Sequence, residues 1–264
     1  MDRSVRIGII GGGGALGSAL ARAWIESGTV PAAQVTVSGR SGAAPALADL
    51  GVRAVADNAA LAAASDVVVL SVPPAAAGGI GIEAPHALVV SVMAGVPMAR
   101  IAALTGAGRV ARAMSSPAAA RRLAWSPWCA GPGVTEADRA VLQDLFAATG
   151  DSAEVPDEGQ IDLFTAMTGP VPGFAAAFAA ALVAHAEARG VEAGAADRAV
   201  RMLMKGAAAE LAEGPPPAAQ VQAMIDYAGT TAAGLNALRA APFQEALDAS
   251  LDAAAARARE MGKG

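Results

Sequence analysis

From Val5 to about residue 155, short apolar runs alternate with segments whose apolar positions recur every three or four residues. Val5–Ile10 is apolar, ends on glycine and reads as a buried strand. Leu16, Leu20 and Trp24 then follow at helical spacing, and Gly28 closes that helix. Val35–Val37 reads as a second strand, and "DVVVLSV" (66–72), "ALVVSV" (87–92) and "RVARAM" (109–114) as three more. The unbroken apolar character of 66–72 suits a strand covered on both faces. "TEADRAVLQDLFAATG" (135–150) predicts a helix with Thr135 as N-cap and Gly150 at its end. Such alternation predicts a parallel sheet with helices outside it.

After about residue 160 the strand signal stops. The pattern predicts helices over 159–189, with a break near Pro170–Gly173, then over 195–213 and 230–261, with "EGPPP" (213–217) as a linker. No internal repeat is present. The expected division is residues 1–157 as a nucleotide-binding α/β domain and 158–264 as an all-helical domain.

The glycines of "GIIGGGGALGSAL" (8–20) give the first domain its chemistry. Gly12, Gly14 and Gly17 satisfy G-x-G-x-x-G between a strand and a helix, the context that the dinucleotide fingerprint requires. On this reading Gly12 makes the tight turn, Gly14 lets the backbone approach a pyrophosphate, and Gly17 lets helix and strand pack closely. The phosphates then lie on the helix N-terminus, where Ala15 and Leu16 follow and free N–H groups favour anions. An NAD enzyme carries an acid at the end of its second strand for the ribose 2′-hydroxyl. Here 35–42 has none and offers Ser38, Arg40 and Ser41 instead. Arg40 suits a 2′-phosphate, so the expected cofactor is NADP(H).

Composition narrows the classes. The 264 residues are 54% hydrophobic and 16% charged, which excludes a disordered chain. With a net charge of −5 and no basic cluster beyond Arg121-Arg122, no nucleic-acid partner is expected. Charges at Asp2, Arg3 and Arg6 argue against a signal peptide. No strongly apolar stretch of membrane-spanning length is expected, the Ala-rich run 174–184 being short and weakly hydrophobic. Cys129 is the single cysteine, so no internal disulfide can form, the cytoplasm is the expected compartment, and the thiol reads as inert. No metal is expected.

Taken in order, "RIGIIGGGGALGSAL", "DVVVLSVPP", "ALVVSVMAGV", "RVARAMSSPA", "MTGPVPGF" and "DYAGTTAAGLNAL" make the chain similar to the pyrroline-5-carboxylate reductase family over nearly its whole length. The resemblance implies a Rossmann NADP-binding domain, a helical dimerisation domain and reduction of a cyclic imine to an amine such as proline. It adds Val72, Pro73, Ala94 and Met114 to the cofactor contacts. It places the substrate carboxylate on backbone N–H groups of Gly229, Thr230 and Thr231, with the Thr231 hydroxyl near the substrate nitrogen. This chain departs from the family pattern at several points. Val72-Pro73-Pro74 lacks the family's lysine, Met114-Ser115-Ser116-Pro117 is a shortened loop without its asparagine, and Asp226 and Tyr227 replace the front of an S-P-G-G-x-T loop.

Reducing a C=N bond needs a hydride on carbon and a proton on nitrogen. Thr231, Tyr227 and Asp226 are the candidate catalytic residues. Thr230 and Thr231 can also be read as N-caps, Asp226 as a solvated turn residue and Tyr227 as an interface residue. His185, in stripe with Phe174, Phe178 and Leu182, reads as a buried, hydrogen-bonded histidine, and Met202 and Met204 as core or interface. Three functions are carried forward: reduction of pyrroline-5-carboxylate, reduction of another imine, and cofactor binding without catalysis. The expected assembly is a homodimer through residues 160–264, or a larger oligomer of such dimers.

Overall fold

Runs rich in β-branched residues build the sheet of the computed structural model, which describes residues 5–261. Asp2 and Arg3 lie outside the described residues. The elements run β1 (Ile7–Ile10), α1 (Ala15–Glu26), β2 (Val35–Ser38), β3 (Arg53–Val55), α2 (Asn58–Ala63), β4 (Val67–Leu70), β5 (Leu88–Ser91), α3 (Met98–Thr105) and β6 (Arg109–Ala113). Then come β7 (Ala124–Trp125), β8 (Trp128–Ala130), α4 (Glu136–Ala147) and β9 (Gly150–Asp151).

The main sheet has the order β3-β2-β1-β4-β5-β6-β8. The first six strands are parallel, and β8 returns antiparallel to β6. Ile7 sits opposite both Val35 and Val67, so β1 is central and the strand order reverses between it and β4. In a doubly wound sheet that reversal opens a crevice at the carboxyl ends of the strands. Side-chain alternation sends Ile7 and Ile9 to one core with Leu20, Trp24, Val35 and Leu145, and Ile10 to a second core with Val68, Leu70, Val89 and Ile101. Trp24 donates through Nε1 to the Leu145 carbonyl at 2.7 Å, which joins α1 to α4 under the sheet. Thr135 caps α4 as expected, in a reciprocal box with Asp138.

The remaining elements are helical: α5 (Glu158–Thr168), α6 (Val171–Glu187), α7 (Ala193–Glu213), α8 (Pro217–Asp226), α9 (Gly229–Ala240) and α10 (Phe243–Met261). The expected break at Pro170–Gly173 is the join between α5 and α6. Two expectations are corrected: α8 occupies the segment after the linker, and the single helix expected over 230–261 is divided at Pro242. The chain forms two compact units, residues 1–169 with 253–264, and residues 170–252. Within the second, α6 packs on α7 and α8 on α9. No residue of α6 is buried, and Phe178, Met202, Leu203 and Leu211 are each more than half exposed. His185 is exposed too, correcting its reading as a buried histidine. The expected absence of a long apolar stretch is also corrected: Glu158–Glu187 contains an 18-residue window of mean hydropathy 1.5, and 6% of that window is buried.

Candidate active site

The loops after β1, β2 and β4 enclose a cavity of about 1040 Å³ at the carboxyl edge of the sheet. Gly13, Gly14, Arg40, Ser41, Val72 and Pro73 line it together with Asn58. The glycine loop holds its shape through bonds from Gly12 N to Ile9 O at 3.2 Å and from Gly14 N to Gly11 O at 3.0 Å. Gly13, Gly14 and Ala15 are exposed, and Gly14 is the N-cap of α1. The first-turn N–H groups of Ala15, Leu16 and Gly17 have no carbonyl before them in the helix to bond, so they face an incoming anion.

The division of labour among the glycines differs from the expected one. The left-handed turn is at Gly11, with φ +81°, where a Cβ would stand 2.4 Å from the Ser71 carbonyl. Gly12 is buried, and a Cβ there would meet Val37 at 2.6 Å, so its role is packing against β2. Gly17 behaves as read: its Cβ would lie 2.7 Å from both Gly11 O and Gly12 Cα.

Arg40 is exposed on the cavity wall and makes no ion pair or side-chain hydrogen bond among the described residues. Ser38, expected to donate to the cofactor, is instead buried, and its hydroxyl donates to Asn58 Oδ1 at 2.6 Å. Asn58 Nδ2 in turn donates to Ile80 O at 3.0 Å, so Asn58 spans the cavity floor between β2 and the segment after β4. An uncompensated cation beside a bare helix N-terminus fits a phosphate-rich dinucleotide with a further phosphate on its ribose.

Ala94 and Met114 follow β5 and β6 on the same edge, outside the cavity lining. The Met114 side chain is committed to a small core with Cys129, Val155 and Ile161, against which Ala94 also packs, so that side chain is not free to touch a cofactor. Burial, first, and the carboxylates of Glu158, Glu154 and Asp157 push the Cys129 thiol upward from its ordinary range. Arg112 on β6 is 1% exposed and pairs with Glu158 at 3.0 Å and Asp162 at 2.7 Å, fastening α5 to the strand. Glu158 also accepts from Met98 N at 2.7 Å. Next to Met114 begins a buried row of hydroxyls: Ser115 to Ser126 at 2.8 Å, Ser126 to Thr149 at 2.7 Å, and Thr149 to the Phe146 carbonyl at 2.7 Å.

The second group of candidates lies in the other compact unit. Asp226 ends α8 and accepts from Gln222 Nε2 at 2.8 Å, and Gln222 Oε1 accepts from Arg239 at 3.3 Å. Tyr227, the C-cap of α8, is 91% exposed. The N-cap of α9 is Ala228 and carries no side-chain cap, so Thr230 and Thr231 do not cap this helix as one reading expected. They stand exposed in its first turn, with Gly229, and their hydroxyls make no hydrogen bond among the described residues. Ala228 has φ +69° and ψ −169°, a region that glycine occupies almost alone.

Two family profiles match the chain: an NADP oxidoreductase, coenzyme F420-dependent, over residues 6–95, and pyrroline-5-carboxylate reductase dimerisation over 158–261. The chain is 30% identical to pyrroline-5-carboxylate reductase from Methanosarcina acetivorans, with 98% of each chain covered. The chain belongs to the pyrroline-5-carboxylate reductase family. It is likewise 30% identical to the Pseudomonas aeruginosa reductase, covering 98% of this chain and 97% of that one. The solved structure of the Coxiella burnetii reductase superposes with a TM-score of 0.85 at 25% identity, covering 99% of this chain and 100% of that one. That of Plasmodium falciparum pyrroline carboxylate reductase, with NADP bound, gives 0.83 at 22%, covering 98% and 99%. As a family member the protein is an NADP-dependent oxidoreductase acting on carbon–nitrogen double bonds, with NADP(H) as its cofactor. Membership supports an enzyme, so the reading of cofactor binding without catalysis is not needed.

Sequence reasoning missed Asn58, Arg112 and the strained Ala228. Asn58 resembles any helix-opening asparagine until the fold sets it against Ser38 and Ile80. A charged residue inside the apolar run "RVARAM" was the available signal for Arg112. An alanine directly before Gly-Thr-Thr, in place of the family's first glycine, was the signal for Ala228.

Proposed function

We propose that the protein reduces pyrroline-5-carboxylate to proline with NADPH. The full-length likeness to reductases named for that substrate supports this reading, as does the pairing of a glycine cradle with Arg40, which has no ion-pair partner among the described residues. Bound in the cleft, the dinucleotide supplies the hydride. The chain's own residues position and protonate. Helix α1 takes the pyrophosphate on the N–H groups of Ala15, Leu16 and Gly17, and Arg40 with Ser41 takes the 2′-phosphate. Val72, Pro73 and Ala94 flank the cleft along the sheet edge. At the start of α9, Gly229, Thr230 and Thr231 offer N–H groups to the substrate carboxylate, and the free Thr231 hydroxyl reaches the ring nitrogen that gains a proton.

A second substrate, an imine without a carboxylate, is favoured by the negative charge of Asp226 close to those N–H groups. Oxidation of NADPH with pyrroline-5-carboxylate and with unsubstituted pyrroline separates the two. The first reading expects turnover with the carboxylated ring and loss of about ten- to a thousand-fold in rate for Thr231→Ala, with little change for Tyr227→Phe. Preference for unsubstituted pyrroline, with Asp226 or Tyr227 variants more damaged than Thr231→Ala, overturns it.

Our reading keeps the functional boundary at 157/158, and the start of the dimerisation match at residue 158 supports it. The assembly is a homodimer through the helices after that point, in the cytoplasm. The alanine-rich surface of α6 and the exposed Phe178, Met202 and Leu211 are too apolar for permanent exposure and suit a second copy. The apolar run Glu158–Glu187 is read as interface and core because the dimerisation profile covers it. Sedimentation at micromolar concentration should give no active monomer; an active monomer refutes the assembly.

A further inference from the structure

Helix α1 contributes more than the phosphate cradle at its N-terminus. Two turns on, Arg22 forks onto Asp49, with Nη2 to Oδ1 at 2.8 Å and Nη1 to Oδ2 at 3.0 Å. The same Nη2 donates to the Ala46 carbonyl at 2.8 Å, and Nη1 also reaches Glu26 at 2.7 Å. Both acceptors on the far side belong to the 3₁₀ turn Pro45–Leu50, which anchors Leu47 in the core. That turn follows directly on the loop 39–44, which carries Arg40 and Ser41.

The loop is therefore slung between two fixtures. At its front, Ser38 is held by β2 and by Asn58. At its back, Ala46 and Asp49 are held by Arg22. Between them the loop contains two glycines, Gly39 and Gly42, the latter at φ +64°, and an internal bond from Gly42 N to Gly39 O at 2.9 Å. The Ala43 carbonyl lies so near Gly13 that a Cβ there would stand 3.3 Å away. Any shift of the loop relative to α1 thus moves Arg40 against the cradle.

We infer that Arg22 is a positioning residue for cofactor choice: it locks the Arg40 loop to the helix that carries the phosphate cradle. Exposed ion pairs contribute little to stability, and Asp49 is 61% exposed, so the consequence of this contact is geometric. Its planar fork, satisfied on two sides, fixes distance and direction in a way that a point charge does not. The cradle belongs to α1 itself and does not depend on the loop. Loosening the loop therefore weakens recognition of the 2′-phosphate and spares the rest of the dinucleotide.

The inference rests on Arg40 as the 2′-phosphate partner, and the test separates the two. Calorimetry on the full chain compares adenosine 2′,5′-bisphosphate with 5′-AMP for wild type, Arg22→Ala, Asp49→Asn, Arg40→Ala and the Arg22→Ala/Arg40→Ala pair. Arg22→Ala should weaken the bisphosphate about three- to tenfold, leave 5′-AMP unchanged, and add nothing in the Arg40→Ala background, as expected for coupled positions. Arg22→Lys should fall between wild type and alanine. Equal weakening of both ligands, or none, in a protein where Arg40→Ala does lose the bisphosphate, overturns the role of Arg22 and leaves Arg40 standing. An Arg40→Ala protein with undiminished preference overturns both. Should Arg22→Ala fail to fold, Asp49→Asn, altered at an exposed acid, carries the same comparison.

Discussion

Replacing Ala228 by glycine should stabilise the protein, against the usual sign of an alanine-to-glycine change. At φ +69° and ψ −169° the alanine sits where a Cβ is strained. Such conformations cost of order 1–3 kcal/mol for a non-glycine residue. Glycine removes that strain but widens the unfolded ensemble, a loss of about 0.4–1 kcal/mol. Ala228 is exposed and lies outside the regular part of α9, so neither packing nor helix propensity adds to the loss. The balance is a gain of about 0.5–2 kcal/mol, or roughly 1–6 °C in Tm for a chain of this size. Urea and thermal unfolding at one fixed protein concentration measure it, because association shifts both midpoints. Ala140→Gly, at an exposed interior position of α4, serves as the contrast and should lose about 1 kcal/mol. If Ala228→Gly is destabilised as much as Ala140→Gly, the strain does not exist. The relaxed loop should also hold its N–H groups less well, raising the KM for the imine while Tm rises.

Gly17→Ala places a methyl group 2.7 Å from backbone atoms of Gly11 and Gly12, neither of which can yield as a side chain can. It should lose about 1–3 kcal/mol of stability and weaken NADPH about tenfold or more, read by calorimetry; normal affinity would contradict the close packing of α1 on the glycine loop. Arg112→Met leaves Glu158 and Asp162 without their partner, and their side chains are 31% and 25% exposed. The loss should be about 1–3 kcal/mol, below the value for fully buried pairs, and should appear first as faster amide exchange in α5; unchanged exchange there would refute the tether. Cys129 should react with thiolate-directed reagents only after unfolding in urea, since burial keeps the thiol protonated; rapid labelling of the native protein would refute that.

The strands of the sheet's centre were legible because both faces are buried, leaving unbroken apolar runs with glycine at their ends. β3 and β8 were not: each has three residues and lies at a sheet edge, too short a run to show a period. The fingerprint located the cradle but misplaced its turn, because four consecutive glycines satisfy the motif while only backbone geometry distinguishes Gly11 from Gly12. Arg40 was legible as a cation without a competing acid nearby. Ser38 was not, since alternation along β2 aims its hydroxyl at Asn58 rather than at the cleft. α8 hid behind three prolines, which mark a linker in sequence but here precede and open a helix.

The row Ser115, Ser126, Thr149 ends on the Phe146 carbonyl, and that terminus fixes its direction. Each hydroxyl has a single proton to give. Thr149 gives its proton to the carbonyl, so Ser126 gives to Thr149 and Ser115 to Ser126. Ser115 is left with lone pairs alone for any further neighbour, beside the strand end that bears Met114. A relay must finish on a group that takes up and releases protons, and a peptide carbonyl does neither. The row therefore behaves as a fixed dipole and not as a wire: it polarises what lies next to Ser115, while the proton that completes the amine arrives by a different route.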